Sequence, residues 1–194
     1  MTEPFRNLRI TQKLLLILTV GLIGLVLSAA IPIGQYRQAL MEDRETKTRH
    51  LVEAALGVLQ YAEQQERSGA MTRAQAQTHV VEALRRMRYG DGEYFWINDL
   101  DQRIVLQPVS PELEGRVMAD MRDPAGRPLF ARINDTARAG GGLVRYDWPK
   151  PGHAAPQPKV SYVVLFQPWG WVLGSGIYVD DVDALFYAQA REAA

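Results

Sequence analysis

The chain contains no cysteine. Disulfides, thiolate zinc sites, thiol nucleophiles and dithiol redox chemistry are therefore excluded. It also lacks an excess of either charge: 22 Lys and Arg against 22 Asp and Glu leave a formal net charge of zero at pH 7, so no basic face for nucleic acid is expected. Histidine is scarce, and His50, His79 and His153 stand at no metal-ligand spacing. Asp99 and Asp101 are far short of the roughly six to eight oxygens that a calcium ion takes, and they fall where a turn is expected. No serine and histidine suggest a nucleophilic triad, and no phosphate-cradling glycine loop follows an expected strand. Neither a cofactor nor a metal nor an enzymatic activity is expected. Internal repeats and low-complexity tracts are absent too.

Long apolar runs are limited to one. Leu14 to Gly34 carries no charged residue and follows Arg6, Arg9 and Lys13. A bilayer core about 30 Å thick needs roughly 20 helical residues at about 1.5 Å rise each, and this run supplies them. Basic residues are retained in the cytoplasm, so residues 1–13 are expected there, with a transmembrane helix over 14–34 and the body from Tyr36 outside the cytoplasm. A cleaved export signal is the alternative, because Ser28, Ala29 and Ala30 make a small-residue site after an apolar core. Both readings export the body, and the roughly 150 residues that remain are enough for a real core.

Past the apolar run, Tyr36 to Arg67 reads as one long amphipathic helix. Glu42 to His50 is almost entirely polar, whereas Leu51, Val52, Ala55, Leu56, Leu59 and Ala62 recur at helical spacing. Thr72 with Gln75 has capping-box spacing ahead of Ala76, Val80, Val81, Leu84 and Met87, which predicts a second helix. Arg85, Arg86 and Arg88 suit the C-terminal end of that helix, with Gly90 to close it. The period then changes. Tyr94 to Ile97 and Ile104 to Leu106 read as a hairpin, followed by an irregular excursion rich in proline and glycine to Arg127. A short helix is expected around Leu129 to Ala137. Strands follow at Leu143 to Trp148, Val160 to Phe166 and Trp171 to Tyr178, and Asp180 is placed to cap a last helix over 181–194. The fold class is α+β: helices covering one face of a five-stranded antiparallel sheet and the excursion covering the other, with a small cavity beneath it.

These stretches resemble the single Cache domain, the PAS-like extracytoplasmic sensor module of bacterial chemotaxis receptors and sensor kinases. The likeness lies in Tyr94-Phe95-Trp96-Ile97-Asn98-Asp99, in Pro108 with Pro111, Leu113 and Gly115, and in Asp123-Pro124-Ala125-Gly126. It continues in Gly142 to Gly152, in Lys159 with Tyr162, in Pro168-Trp169-Gly170-Trp171, and in Gly176-Ile177-Tyr178-Val179-Asp180-Asp181. The resemblance implies a sensor domain over 36–180, periplasmic on an inner membrane, whose pocket takes a small organic ligand, often a short carboxylate. It also implies a signal carried by the long helix, with helix-paired homodimers common among such modules. The family pattern usually has histidine before Pro108, where this chain has Gln107, a neutral amide in place of a titratable ring. No output module is recognised before Ala194, so the expectation is either a separate signalling partner or a fragment of a longer sensor.

Strand alternation puts Tyr94 and Trp96 on one sheet face, with Tyr146 and Trp148 repeating the theme on the next strand. Their hydroxyl and indole N–H groups suit a pocket wall. A carboxylate wants a cation and donors, for which Tyr162 and Gln107 are the expected contacts and Lys159 a cation at the rim. Arg103, Arg116, Arg145 and Lys150 are further cations, each more typical of a solvated surface. Ser175 lies between Gly174 and Gly176, where missing side chains allow a ligand or a helix to approach.

Overall fold

The computed structural model describes residues 9–90, 92–124, 126–150, 153 and 155–180, with the backbone alone for 25–37. Two compact units, Met1–Met41 and Glu42–Ala194, divide the chain, and helix α1 (Ile10–Arg67) runs through both. In the first unit, every described side chain from Ile10 to Gly24 is exposed, including Leu14, Leu15, Ile17, Leu18, Leu22 and Ile23. Among the described residues no helix is long and apolar enough to cross a membrane. The membrane helix expected over 14–34 extends into residues 25–37, whose side chains lie outside the described residues, and the structure does not confirm it. The helix expected over 181–194 likewise lies outside the described residues.

The second unit holds the folded domain. Along α1, Val52, Ala55, Leu59 and Ala62 are fully buried at alternating steps of three and four, the stripe that helical periodicity requires. Helix α2 (Arg73–Arg86) begins as its sequence dictates: Thr72 Oγ1 accepts from Gln75 N at 3.2 Å and Gln75 Oε1 accepts from Thr72 N at 2.9 Å. Its end differs from expectation. The helix stops at Arg86, and Arg88–Tyr89 form a two-residue strand, β1, paired with β2 (Glu93–Asp99) across a turn containing Gly90 at φ +53°. Gly90 therefore turns a hairpin rather than closing the helix. The Tyr89 ring lies 5.5 Å from that of Phe95, which favours the strand, while Arg88 Nη1 still donates to the last-turn carbonyls of Arg85 and Met87 at 2.8 Å each.

The other strands are β3 (Ile104–Leu106), β4 (Gly142–Trp148), β5 (Gln157–Phe166) and β6 (Trp171–Tyr178), all in antiparallel pairs. The sheet runs β1-β2-β6-β5-β4, with β3 also paired to β2, so it has six strands rather than the expected five. Alternation gives it two apolar faces. Phe95, Ile97, Leu106, Phe166, Trp171 and Leu173 pack with α1 and α2. Trp96, Ile104, Val144, Tyr146, Trp148, Val163, Val172 and Tyr178 pack with Leu129, Phe130, Ile133 and Ala137 of helix α3 (Leu129–Arg138). Leu113, Met118 and Met121 of the excursion complete that second layer, as its composition predicts.

Buried polar groups pin α3 and the excursion in place. Asn134 Nδ2 donates to the carbonyls of Asp99 and Leu100 at the hairpin turn, and its Oδ1 accepts from Asn98 Nδ2 at 2.7 Å. The Asp123 carboxylate accepts from Arg127 N and Nε and from Arg132 Nη1, all within 2.9 Å, tying the Asp123–Gly126 turn to α3. Glu114 receives both Nη atoms of Arg85 on α2 and the backbone N–H of Gln107, each at 2.8 Å. Asp99 Oδ1 accepts from Arg103 N within its own turn, the ordinary use of aspartate there.

Candidate ligand-binding site

Between the sheet and α3 lies a small cavity lined by Tyr94, Trp96, Gln107, Phe130, Ile133, Tyr146 and Trp148. It is narrow, and its freest part holds about one water molecule. Five of the eight side chains anticipated as ligand contacts line it: Tyr94, Trp96, Gln107, Tyr146 and Trp148. Alternation along β2 and β4 directs these aromatics to the α3 side. Gly174, opposite Trp96 on β6, is what lets the indole lie across the sheet, since a Cβ there would come within 2.3 Å of the ring.

Lys159 belongs to this face. It pairs with Tyr146 across β4 and with Tyr178 across β6, and it is only 2% exposed. Its ammonium donates to the Tyr94 hydroxyl at 3.1 Å and lies 4.1 Å from the Tyr94 ring centroid, 4.8 Å from that of Tyr178 and 5.8 Å from that of Trp96. No carboxylate pairs with it among the described residues. Burial, only partly offset by the attraction of Glu93, brings its pKa down to about 7. The same burial pushes the Tyr94 and Tyr146 hydroxyls well above the ordinary tyrosine value, so both stay protonated. Tyr146 shares a hydrogen bond of 2.9 Å with Ser161, the next inward residue of β5.

Three polar atoms around the cavity are buried without a hydrogen-bond partner among the described residues: the indole nitrogens of Trp96 and Trp148 and the amide oxygen of Gln107. Buried polar atoms are normally satisfied, so three without a partner around one space make it the candidate site. The Trp148 ring is held edge-on by Tyr146 at 6.1 Å and Phe130 at 6.2 Å.

The sequence reading of β5 has its faces exchanged. Tyr162 points toward α1, half-buried beside an open cleft where Arg49 lies 5.9 Å from its ring centroid. Lys159, expected at the rim, is buried. Ser175 also faces the helices: its Oγ donates to the Tyr94 carbonyl and shares a hydrogen bond with the Tyr89 hydroxyl, both at 2.6 Å. Arg145 is paired with Glu45, Lys150 with Asp180, and Arg103 donates to the Gly115 carbonyl. Phe130, Ile133, Ser161 and Tyr178 were not anticipated as site residues. For Ser161 the signal was present, since it shares the parity of Lys159.

Residues 40–192 match the family described as Single Cache domain 2. The chain belongs to that family. It is 40% identical over 192 residues to the methyl-accepting chemotaxis protein McpP of Pseudomonas putida, covering 98% of this chain and 35% of that protein. The sensor histidine kinase MctS of Rhizobium johnstonii is 33% identical over 152 residues, 78% of this chain and 32% of the kinase. The chain thus spans about a third of the length of these relatives. Among solved structures, a periplasmic sensor domain of a chemotaxis protein superposes with a TM-score of 0.69 at 46% identity, covering 72% of this chain and 97% of that one. A Cache chemosensory domain solved for the structural basis of carboxylic acid recognition gives 0.70 at 42% identity, covering 73% and 97%. This single Cache chain therefore shares its fold with chemosensory domains and its sequence with both a chemotaxis receptor and a sensor kinase.

Proposed function

We propose that the chain is an extracytoplasmic sensor module that binds a short-chain carboxylate, without catalysis, in the cavity between the sheet and α3. The observation that carries this reading is Lys159: a buried ammonium without a salt bridge among the described residues, hydrogen-bonded to the Tyr94 hydroxyl at the wall of a cavity that also gathers the unpartnered polar atoms of Trp96, Trp148 and Gln107. A carboxylate placed there would accept from Lys159 Nζ and from the indole N–H of Trp96 or Trp148, and its alkyl chain would lie against Phe130 and Ile133. Gln107 offers an amide at the excursion side. The relative solved for carboxylic acid recognition supports the ligand class. Tyr162 and Ser175, on the far face, are assigned no contact.

The cavity's tightness favours a small guest and requires the wall to yield as the ligand enters. A ligand that binds two conformations unequally shifts their balance, which is what a sensor requires. In this proposal the segment over 14–34 anchors the module in the membrane and α1 carries the shift toward an output partner, with α1 pairing between copies of the chain.

A thermal-shift screen of the purified full chain tests the ligand class. Acetate, propionate and butyrate are expected to raise the midpoint, with about 2.7 kcal/mol of stabilisation at a hundredfold the Kd. A response to amines or neutral amino acids but not to these acids would contradict the reading. Tyr162→Phe is expected to leave the response unchanged.

A further inference from the structure

We infer that the cavity takes up one proton with each carboxylate it binds, so that the site reports ligand and proton together. This rests on the carboxylate reading above, and its ground is geometric. Lys159 stands mid-sheet on β5, and the groups that touch its ammonium are neutral. The rings of Tyr94 and Trp96 on β2 and of Tyr178 on β6 lie against it, Tyr146 on β4 is its cross-strand partner, and the apolar Phe130 and Ile133 of α3 line the cavity beside Tyr94. Two charges lie farther out. Glu93, at the start of β2, attracts the ammonium but makes no salt bridge with it. Lys150, in the loop after β4, lies 5.1 Å from the Tyr178 ring centroid and is paired with Asp180 at 2.8 Å.

An ammonium held this way touches a hydroxyl and aromatic faces but makes no salt bridge among the described residues, and removal from water outweighs the attraction of Glu93 and favours its neutral form. The depressed pKa of Lys159 agrees with that placement. An incoming carboxylate supplies the missing anion and reverses the preference. In solutions where the amine is largely neutral, binding then draws one proton from solvent: the amine, the proton and the carboxylate combine as an ammonium–carboxylate pair. No other bond forms or breaks.

The consequence is a pH-dependent affinity with a defined sign. Below neutrality, where Lys159 is already charged and a short carboxylate still ionised, affinity is flat. Above it, affinity falls by about tenfold per pH unit as protonation has to accompany binding. A sensor so built responds most strongly when acid and ligand arrive together.

Isothermal titration of propionate into the purified full chain tests this in two buffers of different ionisation enthalpy, phosphate and Tris. The expected result is uptake of close to one proton per ligand at pH 8 and a Kd about tenfold weaker at pH 8 than at pH 6. Equal heats in both buffers with a Kd that does not change between those pH values would overturn the inference while leaving the carboxylate site standing. Failure of acetate, propionate and butyrate to bind at either pH would overturn both. Lys159→Arg, which keeps its charge throughout, is expected to bind with a flat pH profile; a slope retained in that variant would place the proton elsewhere. Should the variant not fold, the two-buffer measurement on the unaltered chain decides alone.

Discussion

Lys159 shows how a single residue can be costly to the fold and still make sense. An ammonium buried without an anion destabilises the native state, and a methionine of similar length would remove that cost. Because its pKa is lower in the folded chain than in the unfolded one, unfolding takes up a proton between about pH 7 and the ordinary lysine value of 10.5. The lysine's contribution to stability therefore rises with pH across that window. Urea denaturation is expected to show Lys159→Met more stable than the unaltered chain at pH 7, with the gap narrowing by pH 9. A gap that stays constant would mean that the ammonium is not desolvated. At Gly174 the expectation concerns shape. An added methyl collides with the Trp96 indole, so Gly174→Ala should cost about 1–3 kcal/mol in the same experiment.

At the scale of elements, the stretches with strong local signals were legible. The capping box of α2, the apolar stripe of α1 and the aromatic hairpin strands all formed where their residue patterns placed them. Thr72→Ala is expected to lower stability by about 1 kcal/mol, because Gln75 N loses its acceptor. The Asp123 carboxyl is held below its usual range, first by the backbone N–H of Arg127 and then by the Arg127 and Arg132 guanidinium groups. Its stabilising effect is complete above the ordinary aspartate pKa and is lost as pH falls through the depressed one. Asp123→Asn should therefore flatten the acid limb of the thermal stability profile.

What the sequence could not convey was tertiary choice. A two-residue strand such as β1 has no period to detect, and Gly90 serves a helix end or a hairpin turn equally well. In β5, alternation shows that Lys159 and Tyr162 face opposite ways but not which of them faces the cavity. That is settled by the register that sets Tyr146 across from Lys159. The four cavity aromatics were legible because Tyr94 with Trp96 and Tyr146 with Trp148 each share a parity within one strand.

For the whole molecule, the proposal that the apolar stretch over 14–34 anchors the folded domain at a membrane has a direct test. Fractionation of expressing bacteria with intact-mass measurement is expected to find the chain in the membrane fraction with residues 14–34 retained. A soluble periplasmic product beginning near Ile31 would favour the cleaved-signal alternative.

The most direct measurement is a crystal structure of the chain grown with propionate. The expected result is a carboxylate within hydrogen-bond distance of Lys159 Nζ, beside Tyr94 and under the indoles of Trp96 and Trp148, with its alkyl end toward Phe130. Propionate seated instead in the cleft beside Arg49 and Tyr162, or an unchanged cavity at saturating ligand, would contradict the account.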